Sequence, residues 1–200
     1  MTLMKQTFLL FFITMLAGCS TDSSPSDGLP PETKTGANTF GCLIDGKLLV
    51  PRSGNNSLVF PLWGAILWGG IPNDTYYSEL EIIDYKSTRS ASFLLHIKEL
   101  YSHGSANYII DESNGMNNID GLDHNYIHCT VFDNKTNSYQ QYVSYENSGL
   151  LKVTLYGAYA KVAGTFNCKV RNINNPNDEI EITKGRFDID GATLYTKYFP

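Results

Sequence analysis

Lys161-Val162-Ala163-Gly164-Thr165-Phe166-Asn167-Cys168-Lys169-Val170-Arg171 alternates almost without fault. Val162, Gly164, Phe166, Cys168 and Val170 fall on one side, and Lys161, Thr165, Asn167, Lys169 and Arg171 on the other. Successive side chains of a strand point to opposite faces, so this is a long strand with one dry face and one wet face. The chain turns over residues 172–178 and returns with Ile180 and Ile182 inward. Beyond Gly185 the inward residues become Phe187 and Ile189, so the parity has slipped by one. A β-bulge at Lys184-Gly185 accounts for the slip, with Gly185 expected to supply the left-handed conformation. On that reasoning Val at Gly185 should destabilise more than Val at Gly149, which is read as a strand start.

The same period runs backwards along the chain. Leu151, Val153 and Leu155 share a face, as do Ile127, Cys129 and Val131 against His128 and Thr130. Phe93, Leu95 and Ile97 oppose His96 and Lys98, and Leu80 and Ile82 oppose Glu79 and Glu81. Tyr108-Ile109-Ile110 is a short strand, followed by a loop over 111–125 rich in Asp, Asn and Gly. Near the start, Thr39-Phe40-Gly41-Cys42-Leu43-Ile44 and Lys47-Leu48-Leu49-Val50 flank Asp45-Gly46, the residues a tight hairpin turn demands. Residues 58–71 carry Trp63 and Trp68 among several Gly and Pro, which argues for short bent strands or a packed loop. No helical period persists anywhere. The expectation is an all-β domain over 39–200: a single antiparallel β-sandwich or a small calycin-like barrel of about eight to ten strands.

Composition agrees. Tyr and Phe are abundant, at 13 and 10 of 200 residues, which favours strands. The net charge of −5, with no basic run, gives no footing for nucleic acid. Beyond Cys19, the cysteines are Cys42, Cys129 and Cys168. Cys42 and Cys168 sit in matching Thr-Phe-x-Cys contexts and read as buried small hydrophobes, with a disulfide between them as the alternative.

Few residues suggest chemistry. The loop over 111–123 has oxygen ligands suited to calcium but lacks the spacing of a calcium loop, and reads as solvated turns. His124 and His128 are about 13 Å apart if both lie in a strand, without a third ligand nearby, so no metal site is assigned. His96 and His103 read as surface residues. There is no Gly-x-Ser-x-Gly elbow, Cys129 directly follows His128 and so faces away from it, and Glu181 and Asp188 read as wet-side strand acids. The domain is read as no enzyme, and no cofactor is assigned. Trp63 and Trp68 are the candidate ligand-binding residues, as an aromatic platform, although packing against the sheet accounts for them equally well.

The N-terminus has an address. Lys5 precedes an apolar run over 8–16 that ends in small residues, the pattern of a secretory signal and too short to cross a bilayer as a helix. Its last residues, Leu16-Ala17-Gly18-Cys19, resemble a bacterial lipobox. That resemblance implies cleavage after residue 18, lipidation of Cys19 (palmitate among the acyl chains) and attachment to a membrane. Ser20 in place of Asp implies sorting to the outer membrane. Residues 19–38, all polar, Pro, Gly or small, read as a flexible tether. The lipobox, Gly36-Ala37-Asn38-Thr39-Phe40-Gly41-Cys42 with its Asp45-Gly46 turn, Ala163-Gly164-Thr165-Phe166, and Ile182-Thr183-Lys184-Gly185-Arg186-Phe187-Asp188 together resemble a family of small Bacteroidota lipoproteins defined only as a domain of unknown function. The likeness spans the chain from about Gly36 onward and carries no catalytic or binding residues. The functional expectation is a lipid-anchored envelope lipoprotein whose β domain binds a small molecule, glycan or peptide. The alternative is a structural or interaction lipoprotein of an outer-membrane assembly, with an envelope protein as partner.

Overall fold

The computed structural model describes residues 28–55, 61–70, 77–157 and 161–200. Cys19 and the signal segment lie outside the described residues. The strands are β1 (Thr39–Ile44), β2 (Lys47–Leu49), β3 (Ala65–Gly70), β4 (Tyr77–Ile83), β5 (Ser92–Lys98), β6 (Asn107–Ile110), β7 (Tyr126–Asp133), β8 (Ser138–Gly157), β9 (Lys161–Asn172) and β10 (Asn175–Asp190). All pair antiparallel in one ten-stranded sheet of order β2-β1-β10-β9-β8-β7-β5-β4-β3. The long strand β8 pairs with β7 along its first half and with β6 along its second. The domain is all-β, and of the two architectures expected, the barrel does not form: the sheet rolls up without closing.

The roll follows from the inward rows. Phe40 on β1, Phe166 on β9 and Phe93 on β5 meet with ring centroids 5.2–5.8 Å apart, although β1 and β5 are five places apart in the sheet. A flat sheet of this width would separate them by more than 20 Å, at about 4.8 Å per strand. Two edges, β2 and β3, are thereby brought toward each other, and two segments fill the seam between them. Residues 52–54 bond to Ile83, Leu62 and Phe199. The C-terminal tail contributes Leu194 and Phe199 to the core, and its 3-10 turn Leu194–Thr196 contacts β3.

The slip of parity in β10 is present: the register with β9 jumps between Ile182 and Gly185, and that with β1 between Gly41 and Leu43. The left-handed residue of the bulge, however, is Lys184, with φ 52°. Gly185 is required for space instead, because a Cβ there would strike the Phe166 ring. Gly149 corrects the sequence reading further. It lies inside the continuous strand β8, where a Cβ would strike the backbone of Asn167 and Cys168, so its substitution meets the less yielding obstacle. Cys42, Cys129 and Cys168 are free thiols in the core. Burial raises all three, with Cys129 pushed up to about 12, so they behave as small hydrophobes rather than nucleophiles.

The tether is shorter than composition implied. Residues 28–38 form a strap across the outer face of the sheet. Leu29 and Pro30 pack over Gly41, where any Cβ would come within 2.6 Å of Pro30. The strap then wraps the Asp188 carboxylate, which accepts bonds from Thr33 Oγ1 at 2.6 Å and from the backbone N–H groups of Thr35, Gly36 and Ala37 at 2.9, 2.7 and 3.2 Å. Asp188 is therefore buried, not the wet-side acid expected. Burial alone would raise its pKa, but this ring of donors outweighs burial and lowers it. Composition reports apolar burial only; this segment is held chiefly by hydrogen bonds, most of them to one carboxylate.

Phe166→Ala should destabilise the domain by about 3–5 kcal/mol, since it removes the ring shared by β1, β5 and β9. Thr165→Ala, on the opposite face of the same strand, should cost less than about 1 kcal/mol. Chemical denaturation of the pair checks this; equal losses would overturn the inward assignment.

Candidate functional site

Two constellations stand out, one at an end of the roll and one under a loop. Strand directions bring the β1–β2, β7–β8 and β9–β10 hairpin tips and the β4–β5 connection to the same end. There they surround an open cleft of about 800 Å³. Ile44, Leu49, Ala91, Val131 and Ile180 make an apolar floor, continuous with the core or packed against it.

The rim is polar and balanced in charge. Tyr142 donates its hydroxyl to Asp178 at 2.8 Å, and burial together with that carboxylate pushes the phenol up to about 12, so it remains a donor. Arg52 forks onto Asp84, with Nε at 2.7 Å, and Asp84 also caps the backbone N–H groups of Lys86 and Ser87. Arg89 lies over the Phe132 ring, 4.6 Å from its centroid, and donates to Asn134. Lys47 and Lys135 line the cleft without an ion pair among the described residues. Most of the acids, the hydroxyls of Thr136 and Tyr142 and the Asn134 amide are thus engaged in fixing the hairpins, while Asn175, Asn177, Lys47 and Lys135 are left to meet a guest.

The second constellation corrects two expectations at once. Glu79 and His96, read as wet-face residues, are among the most buried polar groups of the domain. They are cross-strand partners in a row that continues to Tyr126. His96 Nδ1 is 2.9 Å from Glu79 Oε1, which also accepts from the Asn118 N–H at 2.8 Å and the Tyr126 hydroxyl at 3.3 Å. The His96 ring is sandwiched between Tyr77 and Tyr126, at 5.0 and 4.3 Å. What covers this face is the loop read as solvated turns: Asn118 caps Glu79, and Ser113 meets His128 Nδ1 at 3.3 Å. A polar loop was legible in the sequence, but its folding back over β4, β5 and β7 was not.

His124 and His128 have separate partners. His124 Nε2 is 2.6 Å from the Glu112 carbonyl, and His128 packs on Tyr126. Among the described residues no group of three or more His, Cys, Asp or Glu is placed to hold a metal, and no helix is long and apolar enough to cross a membrane. The candidate tryptophans line neither constellation's interior. Trp63 is half-buried. Trp68 is 48% exposed on the edge strand β3, paired with Glu79, and its indole N–H donates to Glu81 Oε2 at 3.1 Å. The residues of the end cleft were missed because they are ordinary turn residues; only the topology gathers four turns at one end.

The class of protein defined is therefore a rolled, open antiparallel sheet with a cleft among its hairpin tips. Comparison with protein-family models, with curated proteins and with solved structures gives no match to this chain.

His128 carries a pH prediction. Burial, opposed in part by Glu79 and reinforced by His96, pushes its imidazole from 6.5 down to about 4. Between those values the unfolded chain binds a proton that the folded one refuses. The stability this residue contributes is therefore complete above pH 6.5 and is lost as the pH falls toward 4, by about 3 kcal/mol. Unfolding midpoints measured across that window should fall less steeply for His128→Phe, which keeps a ring against Tyr126 but cannot titrate. Parallel slopes would remove His128 as the cause.

Proposed function

We propose that this is a lipid-anchored envelope lipoprotein whose β domain binds a small polar ligand in the end cleft. The observation that carries the binding reading is the cleft itself, about 800 Å³ with an apolar floor and a ring of amide, hydroxyl and paired-charge side chains. Such a volume suits a drug-sized guest. A charge-balanced rim with Asn134, Asn175, Asn177 and the Tyr142 hydroxyl matches a neutral, polyhydroxylated molecule better than a strongly charged one. The apolar floor matches the C–H faces such a molecule presents. The reading as a protein that binds rather than reacts rests on that floor and rim, where the hydroxyls of Thr136 and Tyr142 are bonded to Asp133 and Asp178 and serve to fix the hairpin tips.

The membrane half of the proposal rests on Leu16-Ala17-Gly18-Cys19. An acylated Cys19 and a short link to the strap would hold the domain close to a lipid surface, on the outer membrane if Ser20 acts as the resemblance implies. One observation favours the alternative, an interaction protein. Ile109 and Leu150 are cross-strand neighbours on β6 and β8 and are 48% and 39% exposed, a small flat apolar patch for a protein partner.

Titration of the full chain with a panel of neutral oligosaccharides, followed by amide chemical shifts, should perturb Tyr142, Lys135 and Asn177 together. Tyr142→Ala should weaken the tightest member on the order of tenfold, as loss of a central aromatic does. Shifts confined to β6 and β8, or none on the hairpin tips, would reject the cleft. Cys19→Ala should separately move the protein from the membrane to the soluble envelope fraction and abolish incorporation of labelled fatty acid. A mutant that still pellets and still carries label would reject the anchor.

A further inference from the structure

A second concave surface lies under the strap, on the outer face of the sheet and apart from the end cleft. Strap residues 31–34 and the outer face of β8, β9 and β10 enclose a cavity of about 320 Å³. Lys152, Thr165 and Arg186 are in register across those three strands, Lys152 opposite Thr165 and Thr165 opposite Arg186. Partners in register leave the same face, so two cations flank one hydroxyl at a spacing of about 4.8 Å per strand. Lys34 adds a third cation from the strap above them.

Arg186 is held in place. Its Nη1 donates to the Pro30 carbonyl at 3.3 Å and its Nε to the Lys184 carbonyl at 3.3 Å, which orients the guanidinium but neutralises none of its charge. Among the described residues, none of Lys34, Lys152 and Arg186 has an ion pair. Glu32 also lines the cavity and is exposed, as are Lys34 and Lys152, and the Asp188 carboxylate nearby is already ringed by strap donors. In a chain of net charge −5, three cations against one acid in the lining of a cavity run against the overall balance. Lys152 and Arg186 stand two strands apart, about 10 Å, on either side of Thr165, so an anion seated over that hydroxyl lies between them.

We infer that the groove binds a phosphate group, its oxygens shared by Lys34, Lys152, Arg186 and the Thr165 hydroxyl. A planar guanidinium with two ammonium groups converging from three directions fits a tetrahedral oxyanion better than a planar carboxylate. The roof is fixed independently of any guest, because the strap is clasped through Asp188. Two sources offer this chemistry: free phosphate and the phosphodiester of a lipid headgroup. The second is within reach on the proposed anchor, since the nine residue-to-residue steps from Cys19 to Gly28 span at most about 32 Å.

The test is calorimetric titration of the full chain with inorganic phosphate and, separately, with glycerophosphoglycerol, a soluble form of a phospholipid headgroup. At least one should bind, more weakly as salt rises. Lys152→Gln and Lys34→Gln, whose side chains hold nothing else, should each weaken it about five- to tenfold, the loss of one charge-assisted hydrogen bond. Their thermal midpoints should not change, and Lys47→Gln in the end cleft should bind as the wild type. Binding of glycerophosphoglycerol alone assigns a lipid source, and binding of inorganic phosphate, with or without it, a soluble one. No binding of either, or binding that both groove variants leave intact, overturns the inference. Because the titration does not depend on the oligosaccharide cleft or on acylation, its failure would leave those proposals standing, and theirs would leave it.

Discussion

The contact on which this structure depends is the meeting of Phe40, Phe93 and Phe166. Each ring stands on the dry face of a different strand, and β5 has no neighbour in common with β1. Buried aromatic rings contribute by area and by offset packing, so the three can be satisfied together only if the sheet curls until its ends face each other. Curling on this scale strains long strands. The strain is relieved where the register jumps, at Lys184-Gly185 on β10 and between Ser144 and Gly149 on β8. Phe166 itself presses on Gly185, so the bulge and the ring cluster are one device rather than two.

That the domain is built of antiparallel strands could be read from side-chain alternation, because a period of two has one physical meaning in a half-buried strand. The inward set of β9 is as Val162, Gly164, Phe166, Cys168 and Val170 require, and these residues are buried around the Phe166 ring. What alternation cannot report is whether the wet face stays wet. Glu79, His96 and Asp188 all sit at outward positions and are all buried. Each is covered by a segment of polar composition, the 111–125 loop or the strap, whose attachment is by hydrogen bonds to the very acids it covers. Hydrophobic pattern carries no trace of such an attachment. The signal that existed was subtler: a strand acid amid Phe and Ile, preceded far upstream by a Thr- and Gly-rich run able to offer backbone donors.

The candidate site was less legible still. Asp45, Asn134 and Asn175 are residues that turns select for conformational reasons, and nothing local distinguishes a tip that rims a cleft from one that does not. Only strand order decides it, since an antiparallel sheet sends its hairpins to alternate ends. The Lys152–Thr165–Arg186 row is invisible for a related reason, as it is contiguous across three strands and scattered along the chain. Trp63 and Trp68 drew notice as large aromatics among glycines; neither lines the end cleft or the groove under the strap, and Trp68 is exposed on the edge strand β3.

Packing the interior with rings also decides where a guest can sit. A rolled sheet with small inward residues would leave a hollow along its axis, as larger barrels do. Here Phe40, Phe93, Phe166 and Phe187 occupy that axis, with centroids no more than 6.3 Å from the next ring, and the seam is stopped by Leu194 and Phe199. Among the described residues the interior opens where the inward rows run out, at the hairpin tips, with Ile44, Val131 and Ile180 as the last apolar residues before solvent. A ligand there meets a floor continuous with the core and walls that are loops. The proposed ligand would enter and leave without any ladder hydrogen bond opening, which would separate recognition from stability. The strap, clasped on the outer face, leaves that mouth uncovered.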